Sequence, residues 1–267
     1  MNSVNKTLYI PLAGKAYVSR RGLFLRDGWA EKISSSEQLP LGKSSRSKWL
    51  AFYMGIRAAV FDEWVRTRIL ESLAEDTVII HIGCGLDSRA FRVGDGHPLW
   101  FDVDFPEVIS ERWRYFDESD NYLMLEGDLN DSDRWLSGIP ERKRAIVVLE
   151  GVSMYLPQDA LRSALGTISR RFSSISLLLD CYSSFAAKMS RYKNPINEVG
   201  VSRVFGIDDP KVLETEGLTL LEKREMTPKK YIDELRGIER LIFKNLYAGG
   251  LSKKLYSLYE YYKGGEV

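Results

Sequence analysis

The sequence predicts an α/β fold with a mostly parallel sheet and helices on both of its faces, and three apolar segments indicate it. These segments, residues 78–82, 99–103 and 145–149, have the length and the β-branched or aromatic content of buried strands. Each ends near a glycine or an acidic residue and is followed by a helix-compatible stretch. Polar groups would therefore line one edge of the sheet, where open α/β folds bind their ligands.

The first of these strands runs into a glycine turn, Gly83-Cys84-Gly85. Such a turn at a helix N-terminus brings bare backbone N–H groups against a bound cofactor. A dinucleotide fingerprint would continue with a third glycine at position 88, but Ser88 stands there, preceded by Asp87. The turn therefore favours a nucleoside ligand without a pyrophosphate, above all S-adenosyl-L-methionine (SAM). A tight turn without any ligand is the alternative.

The second strand ends in two acidic residues, Asp102 and Asp104, about twenty residues after the glycines. Because residues two apart in a strand point to the same face, both carboxylates are candidates for the acid that accepts the ribose hydroxyls. A solvated strand end is the alternative. The third strand ends in Glu150 and Gly151, which adds a further carboxylate to the same edge.

The remaining elements follow in chain order. Residues 1–75 are predicted to be mostly helical, interrupted by a polar loop at 34–45 that is either a lid or an ordinary surface loop. Pro106 and Pro157 suit the first turns of two helices. The further predicted elements are strands near 122–126, 175–181 and 218–224, helices over 105–118, 157–172 and 228–248, and a final antiparallel strand in the tyrosine-rich tail at 254–262.

An insertion is predicted beside the fifth strand, at 185–204, because the alternation of strands and helices stops there. It is rich in basic and aromatic residues, among them Lys188, Arg191, Tyr192, Lys193 and Arg203. A basic, aromatic surface would suit an anionic, ring-bearing substrate. A helical excursion with a solvated basic face is the alternative.

Composition and charge narrow the possible function classes. At 267 residues, with 44% hydrophobic and 28% charged residues, the chain suits one globular α/β domain. The formal net charge is +1, so the sequence lacks the excess of basic residues that is typical of nucleic-acid-binding proteins. A secretory signal pattern and an apolar run of about 18 residues are both lacking, which argues against a membrane protein.

The two cysteines, Cys84 and Cys181, lie on or beside apolar strands and lack the C-x-x-C spacing. This usage argues against a disulfide framework or a zinc site and fits a reducing cytoplasm. We therefore expect a cytoplasmic enzyme without a metal. The sequence leaves its oligomeric state open.

Six segments together resemble the leucine carboxyl methyltransferase superfamily, and more closely its bacterial branch, typified by the O-methyltransferase of tetracenomycin polyketide synthesis. They are residues 7–16, 57–62, 83–89, 102–109, 150–156 and 205–210. The resemblance implies a class I methyltransferase with a Rossmann-like sheet and SAM as cofactor. It also implies one domain over 1–267, with a helical cap at 1–75, a SAM-binding core at 76–182 and the insertion and remaining core at 183–267. It weakens beyond about residue 215.

The same resemblance implies cofactor roles for individual residues at the methionine end of SAM. Lys15 and Arg57 match the positions that hold the methionine carboxylate, and Glu150 matches the acid near the methionine amino group. These roles suit the charges of SAM, since arginine can bind a carboxylate with two hydrogen bonds and lysine supplies a point charge. From the residues alone, a solvated helix face is the favoured interpretation of Arg57.

At the nucleoside end, the resemblance implies another set of residues. Gly83 and Gly85 match the turn under the cofactor, and Asp104 matches the acid at the ribose. Asp128 and Leu129 match the pair that flanks the adenine.

The acceptor decides whether the reaction needs a base. A phenol or alcohol must lose a proton, commonly to histidine, whereas a carboxylate is already ionised at neutral pH. Of the two histidines, His81 lies inside the first strand and is predicted to be a hydrogen-bonded core residue, and His97 lies at the opposite end of the sheet. This favours a carboxylate acceptor, without excluding a hydroxyl. Tyr155 would face the methyl group or the acceptor, in a catalytic or a packing role.

The predicted function is therefore SAM-dependent O-methylation of a carboxylate or hydroxyl on a small molecule, such as a polyketide-like metabolite. A peptide or protein C-terminus is an alternative acceptor. Two alternatives belong to other classes: an NAD(P)-dependent oxidoreductase, which Ser88 disfavours, and a nucleoside-binding module without catalysis. Retention of Lys15, Arg57, Asp104 and Glu150 together argues against the second of these.

Overall fold

The sheet of the computed structural model has seven strands in the order β3-β2-β1-β4-β5-β7-β6, and the structure describes residues 5–42, 44–94, 96–190 and 203–264. Strands β1 to β5 are parallel, and β7 runs antiparallel between β5 and β6. The strands are β1 (Thr77–Ile82), β2 (Leu99–Asp104), β3 (Tyr122–Glu126), β4 (Arg144–Leu149), β5 (Ser174–Tyr182), β6 (Thr219–Arg224) and β7 (Tyr256–Lys263).

The α-helices precede the sheet, connect its strands and follow β6. They are α1 (Tyr9–Arg20), α2 (Gly28–Ser36), α3 (Lys48–Leu70), α4 (Arg89–Arg92), α5 (Pro106–Arg112), α6 (Ser132–Leu136), α7 (Gln158–Arg171), α8 (Ser184–Met189), α9 (Lys229–Glu234), α10 (Gly237–Ile242) and α11 (Gly250–Leu255). Short 3-10 helices lie at Asn5–Leu8, Ala74–Asp76, Leu129–Asp131, Ser153–Tyr155 and Pro210–Leu213, and a π-helix at Phe243–Tyr247.

Side chains that alternate along the strands feed a hydrophobic core on each face of the sheet. In β1, Ile79 packs into the cluster that contains α1 and α3, whereas Val78 and Ile80 pack into the cluster that contains α6 and α7. Successive strand residues point to opposite faces, so a strand that is apolar throughout needs helices on both sides. The predicted fold class is thus confirmed, with the helical region before β1 covering one face.

The predicted strands agree with the observed ones to within two residues, and the tyrosine-rich tail does form the antiparallel strand β7. The helix predicted over 105–118 is wrong in its second half, because α5 ends at Arg112. There the chain turns so that Phe116 is buried under the Arg112 guanidinium, 4.6 Å from the ring centroid. Tertiary packing, not helix propensity, sets this boundary.

The helices predicted over 228–248 are observed as α9, α10 and the π-helix. Gly237, with φ of +52°, marks the break between α9 and α10, since this conformation is accessible to glycine at little cost. In the predicted insertion the structure shows α8, and Arg191, Tyr192 and Lys193 lie outside the described residues.

Candidate active site

A cavity of about 330 Å³ opens at the carboxyl edge of the sheet. It is bounded by the loops that follow β1 to β4, by the last residue of β5 and by residues of α1 and α3 from the helical region. Every predicted site residue except Asp102 lines this cavity: Lys15, Arg57, Gly83, Gly85, Asp104, Asp128, Leu129, Glu150 and Tyr155. The chain therefore brings positions from 15 to 155 to one place.

The glycine turn after β1 forms the floor of the cavity. Gly83 has φ of +65°, and a Cβ atom there would lie 2.3 Å from Cγ2 of Val152, so a side chain at this position would be excluded. Gly85 has φ of +53°, and its N–H donates to Oδ2 of Asp104 at 2.7 Å. The bare backbone at the cavity is the cradle that a nucleoside cofactor requires.

Asp104 lies at the end of β2, beside this turn. Its oxygens accept the N–H groups of Gly85 and Phe105, at 2.7 and 2.8 Å. Burial raises the pKa of the Asp104 carboxyl to about 6, in spite of these two hydrogen bonds. Each oxygen has a further lone pair, so an ionised Asp104 can accept two hydroxyl groups from the cavity.

Asp102 departs from the expectation that it joins Asp104 at the ribose. Its side chain is buried two residues before Asp104 on β2. There it pairs with Arg112 and accepts hydrogen bonds from Trp100 Nε1 and Tyr122 Oη, both at 2.8 Å. Burial opposes ionisation, but Arg112 and a hydrogen bond from His81 outweigh it and lower the pKa of Asp102. The carboxylate is occupied by protein groups and does not line the cavity.

Arg112 connects Asp102 to the glycine turn from below. One guanidinium nitrogen of Arg112, Nη1, donates to the carbonyl oxygens of Gly85 and Asp87, at 2.7 and 2.9 Å. Asp102 therefore supports the turn through Arg112. No sequence signal marked Arg112 for this role, because its pattern is that of an ordinary charged residue on an amphipathic helix.

The ionic end of the cavity holds buried pairs between the helical region and the sheet. Lys15 Nζ lies 2.7 Å from Oδ2 of Asp87, and Arg57 Nε lies 2.9 Å from Oε1 of Glu150. Glu150 also accepts a hydrogen bond from Arg89. Burial opposes its ionisation, but Arg89 and Arg57 hold the pKa of Glu150 below its ordinary value. Cations and carboxylates thus meet here, as an amino-acid group with both charges requires.

Two residues that sequence reasoning missed complete the surroundings of Arg57. Its Nη1 atom lies 2.8 Å from Tyr256 Oη and 3.3 Å from Oδ2 of Asp180. Asp180 had a usable signal, because it follows an apolar run in a strand just as Asp104 and Glu150 do. Tyr256 had none, since it lies 199 positions from Arg57 in the chain.

Both ring nitrogens of His81 are occupied. Burial lowers its pKa, so the ring is neutral, and Nδ1 lies 3.1 Å from Asp102 Oδ1 while Nε2 lies 3.1 Å from Arg89 Nη1. Because Arg89 can only donate, Nε2 is the acceptor and Nδ1 carries the proton. His81 is thus the hydrogen-bonded core residue that the sequence predicts. His97 contacts the Pro98 carbonyl before β2, away from the cavity.

The rest of the cavity is largely apolar and aromatic. Residues of the helical region supply its aliphatic part, and tyrosine rings come from the loop after β4 and from the last residue of β5. These residues are Leu8, Ile10, Pro11, Leu50, Met54, Tyr155 and Tyr182. The Tyr155 hydroxyl is hydrogen-bonded to Thr7, and burial raises its pKa to about 12, so it is protonated at neutral pH.

In the loop after β3, Asp128 and Leu129 line the cavity. Asp128 Oδ1 accepts the N–H of Asn130 at 2.9 Å and so caps a 3-10 turn, and Leu129 is buried beside it. Of the basic residues predicted for the substrate surface, the two that the structure describes, Lys188 and Arg203, do not line the cavity. Lys188 is exposed on α8, and Arg203 stacks on Phe205.

Over the described ranges, His, Cys, Asp and Glu residues form no group of three or more that could hold a metal ion. The same part of the chain contains no helix that is both long and apolar enough to span a membrane.

The sequence matches the leucine carboxyl methyltransferase family over residues 12–169. The chain belongs to this family. It is 28% identical, over 91% of its length and 90% of the relative, to the tetracenomycin polyketide synthesis O-methyltransferase TcmP of Streptomyces glaucescens. It is 31% identical to the S-adenosyl-L-methionine-dependent methyltransferase dpfgK of Gibberella zeae, over 64% of this chain and 61% of that protein.

Solved structures show the same fold at low sequence identity. The magnesium protoporphyrin IX methyltransferase of Synechocystis, with bound S-adenosylhomocysteine, superposes with a TM-score of 0.52 at 10% identity, over 80% of this chain and 86% of that chain. A crystal structure from Thermobifida fusca gives 0.54 at 13% identity, over 94% of each chain. The protein is a class I, SAM-dependent O-methyltransferase, and the oxidoreductase and non-catalytic alternatives are wrong.

Proposed function

We propose that this methyltransferase acts on a carboxylate of a small, ring-bearing molecule. Bound SAM supplies a methyl group on a sulfonium, which an acceptor oxygen displaces in line, so that a C–O bond forms as the C–S bond breaks. Such a displacement needs alignment and exclusion of water more than it needs acid–base groups.

The state of the ionisable groups at the cavity carries this proposal. His81 is neutral with both nitrogens engaged, Tyr155 keeps its proton, and Glu150 is paired with two arginines. Burial raises the pKa of Asp104 to about 6, and we assign this residue to the ribose. An acceptor that is already ionised requires no base.

For the cofactor, we assign the ionic end of the cavity to the methionine part of SAM. Lys15 and Arg57 would hold its carboxylate, and Glu150 would receive its ammonium group. The support is the chemistry of the donors: buried cations and a buried carboxylate stand side by side at one end of the cavity. Their present ion-pair partners, Asp87 and Asp180 among them, hold these side chains in place.

The nucleoside part is assigned to the glycine turn and the loops after β2 and β3. Gly83 and Gly85 would lie under the cofactor, Asp104 would accept the ribose hydroxyls, and Asp128 and Leu129 would flank the adenine. The cradle that a Cβ atom at Gly83 would fill supports this placement. Asp102, whose carboxylate is occupied by protein groups, is not part of it.

The acceptor is assigned to the apolar part of the cavity. Ile10, Pro11, Leu50 and Met54 would pack against its rings, and the Tyr155 hydroxyl would donate a hydrogen bond that orients it. The name of the Streptomyces relative supports a polyketide-like acceptor.

The test of the acceptor is the stability of the methylated product. Aromatic carboxylic acids and their phenolic counterparts are incubated with the enzyme and SAM, and purified product is treated with mild alkali. A methyl ester releases methanol, whereas a phenolic ether survives, so an alkali-stable methyl group would contradict the carboxylate. The rate should also be flat near neutral pH, because no protein base titrates.

The test of the cofactor assignment is Arg57→Ala. Loss of a charge-assisted hydrogen bond of roughly 1.5–3 kcal/mol should raise the Kd of SAM about tenfold or more in calorimetry. Arg170→Ala is the control, because that side chain is 57% exposed and pairs with Glu216 away from the cavity. An unchanged Kd in folded Arg57→Ala would remove Arg57 from the site.

A further inference from the structure

We infer that Asp180 and Tyr256 are a positioning pair that holds the Arg57 guanidinium in the orientation that binds SAM. Strand β7, which supplies Tyr256, would then contribute to the cofactor site. The inference rests on the proposed function, in which Arg57 holds the methionine carboxylate. Arg57 lines the cavity, whereas Asp180 and Tyr256 are not among the described residues that line it. They act through Arg57.

The three side chains form a closed set of hydrogen bonds. Arg57 Nη1 donates to Tyr256 Oη at 2.8 Å, and the Tyr256 hydroxyl donates its own proton to Oδ2 of Asp180. The same Asp180 oxygen lies 3.3 Å from Arg57 Nη1. The directions are forced, because arginine can only donate and a carboxylate can only accept. Glu150 accepts a hydrogen bond from Arg57 Nε, and the Tyr256–Asp180 pair binds Nη1. The guanidinium is therefore held through Nε and Nη1, and Nη2 takes no part in these contacts.

Asp180 also holds the loop that carries Glu150. Its other oxygen, Oδ1, accepts the N–H of Gly151 at 2.7 Å. One buried carboxylate thus ties Arg57 of α3 to the loop after β4, and both are assigned to the methionine end of SAM. This geometry distinguishes Asp180 from an acid that merely neutralises a nearby arginine.

The antiparallel direction of β7 explains how a residue so late in the chain reaches this place. In the register of β5 with β7, Tyr182 pairs with Tyr256 and Asp180 pairs with Leu258. Because β7 runs opposite to β5, its first residue lies at the carboxyl end of β5, beside the cavity. A parallel strand would have placed its first residue at the far edge of the sheet.

Arg57 needs a second carboxylate, because it shares the first. Glu150 is bonded to Arg89 as well as to Arg57. A buried guanidinium with only part of a countercharge is unfavourable, and a long side chain without fixed partners loses its preferred orientation. Asp180 and Tyr256 satisfy both needs before the cofactor arrives, and such preorganisation increases affinity.

The experiment compares two Tyr→Phe variants on the same strand. Tyr256→Phe should raise the Kd of SAM about fivefold to tenfold in calorimetry, with an unchanged KM for the acceptor. Tyr261→Phe is the matched control, because it removes a buried hydroxyl that donates to the Pro210 carbonyl at 2.7 Å, away from the cavity. Its Kd for SAM should equal that of the unaltered enzyme.

A double-mutant cycle then separates positioning from a general structural role. In an Arg57→Ala background, Tyr256→Phe should have no further effect on SAM binding, since the group that it positions is gone. The same fold-loss in both backgrounds would overturn the inference. So would an unchanged Kd in Tyr256→Phe while Arg57→Ala binds weakly. If Arg57→Ala itself bound SAM normally, Arg57 would not hold the methionine carboxylate. The cofactor assignment would then be wrong, and the positioning role of the pair with it.

Discussion

The carboxylates of Asp102 and Asp104 lie two residues apart on β2, but their surroundings differ. Asp102 lies in the region beneath the glycine turn, and Asp104 lies at the cavity above it. Below the turn, Arg112 and Tyr122 converge on Asp102, and the pKa of its carboxyl is lowered. Above the turn, Asp104 receives two backbone N–H groups, and burial raises its pKa to about 6.

The difference shows that the partners of a buried acid decide its role more than its spacing does. A carboxylate whose oxygens are occupied by a cation and hydroxyl or indole donors stabilises the fold. One that is held by backbone groups at a cavity retains lone pairs and an ionisation that a ligand can use. Arg112 connects the two regions, because it binds Asp102 and the Gly85 carbonyl at once.

The largest expected effect is on the region beneath the turn. Arg112→Met leaves Asp102 buried without its cation and should lower the free energy of unfolding by about 3–5 kcal/mol in urea denaturation. Arg114→Met is the control, since that side chain is 52% exposed and should change little. A loss in Arg112→Met no greater than that of the control would show that the buried pair does not stabilise the fold.

Next in size is the effect of Asp104→Asn on the cavity. It should raise the Kd of SAM about tenfold or more, because an amide has one acceptor oxygen where the carboxylate has two, and one of the hydrogen bonds from the Gly85 and Phe105 N–H groups is lost as well. The 2′- and 3′-deoxyribose analogues should lose less affinity with the variant than with the unaltered enzyme. Glu126→Gln, at the exposed register partner of Asp104, is the control. Equal penalties for the analogues in both proteins would refute the ribose role.

The two regions should also respond oppositely to pH. Without ligand, Asp104 has a raised pKa, so its contribution to stability is present at low pH and lost as pH rises through about 6. Asp102 has a lowered pKa, so its contribution is lost as pH falls. The proposed ribose role requires an ionised Asp104, so calorimetry should show the affinity for SAM falling up to about tenfold per pH unit below about pH 6. A similar fall in Asp104→Asn would assign the titration to another group.

The smallest expected effect comes from Tyr122→Phe. The variant removes one hydrogen bond to Asp102 and should lower the free energy of unfolding by about 1–2 kcal/mol, because the Arg112 pair still satisfies the carboxylate. The Kd of SAM should not change. Weakened SAM binding in a folded Tyr122→Phe variant would show that the region beneath the turn and the cavity are energetically coupled.

Much of the sheet and of its functional edge could be predicted from the sequence, because both depend on local patterns. An apolar run of strand length, a glycine turn and a terminal acid lie next to one another in the chain, and this identified Gly83, Gly85, Asp104 and Glu150 as candidates. Lys15 and Arg57 came from the family resemblance, since a single cation on a helix has no distinguishing pattern. The structure places all of these at one cavity.

The tertiary structure alone decided which charged groups meet. The role of Asp102 depends on Arg112 from α5 and on Tyr122 from β3, and the end of α5 itself depends on the burial of Phe116. Asp180 and Tyr256 reach Arg57 only because β7 runs antiparallel beside β5. Strand periodicity acts over a few residues, whereas ion pairing acts through space. The local sequence therefore determined where the strands end, and tertiary packing determined which side chains contact one another at those ends.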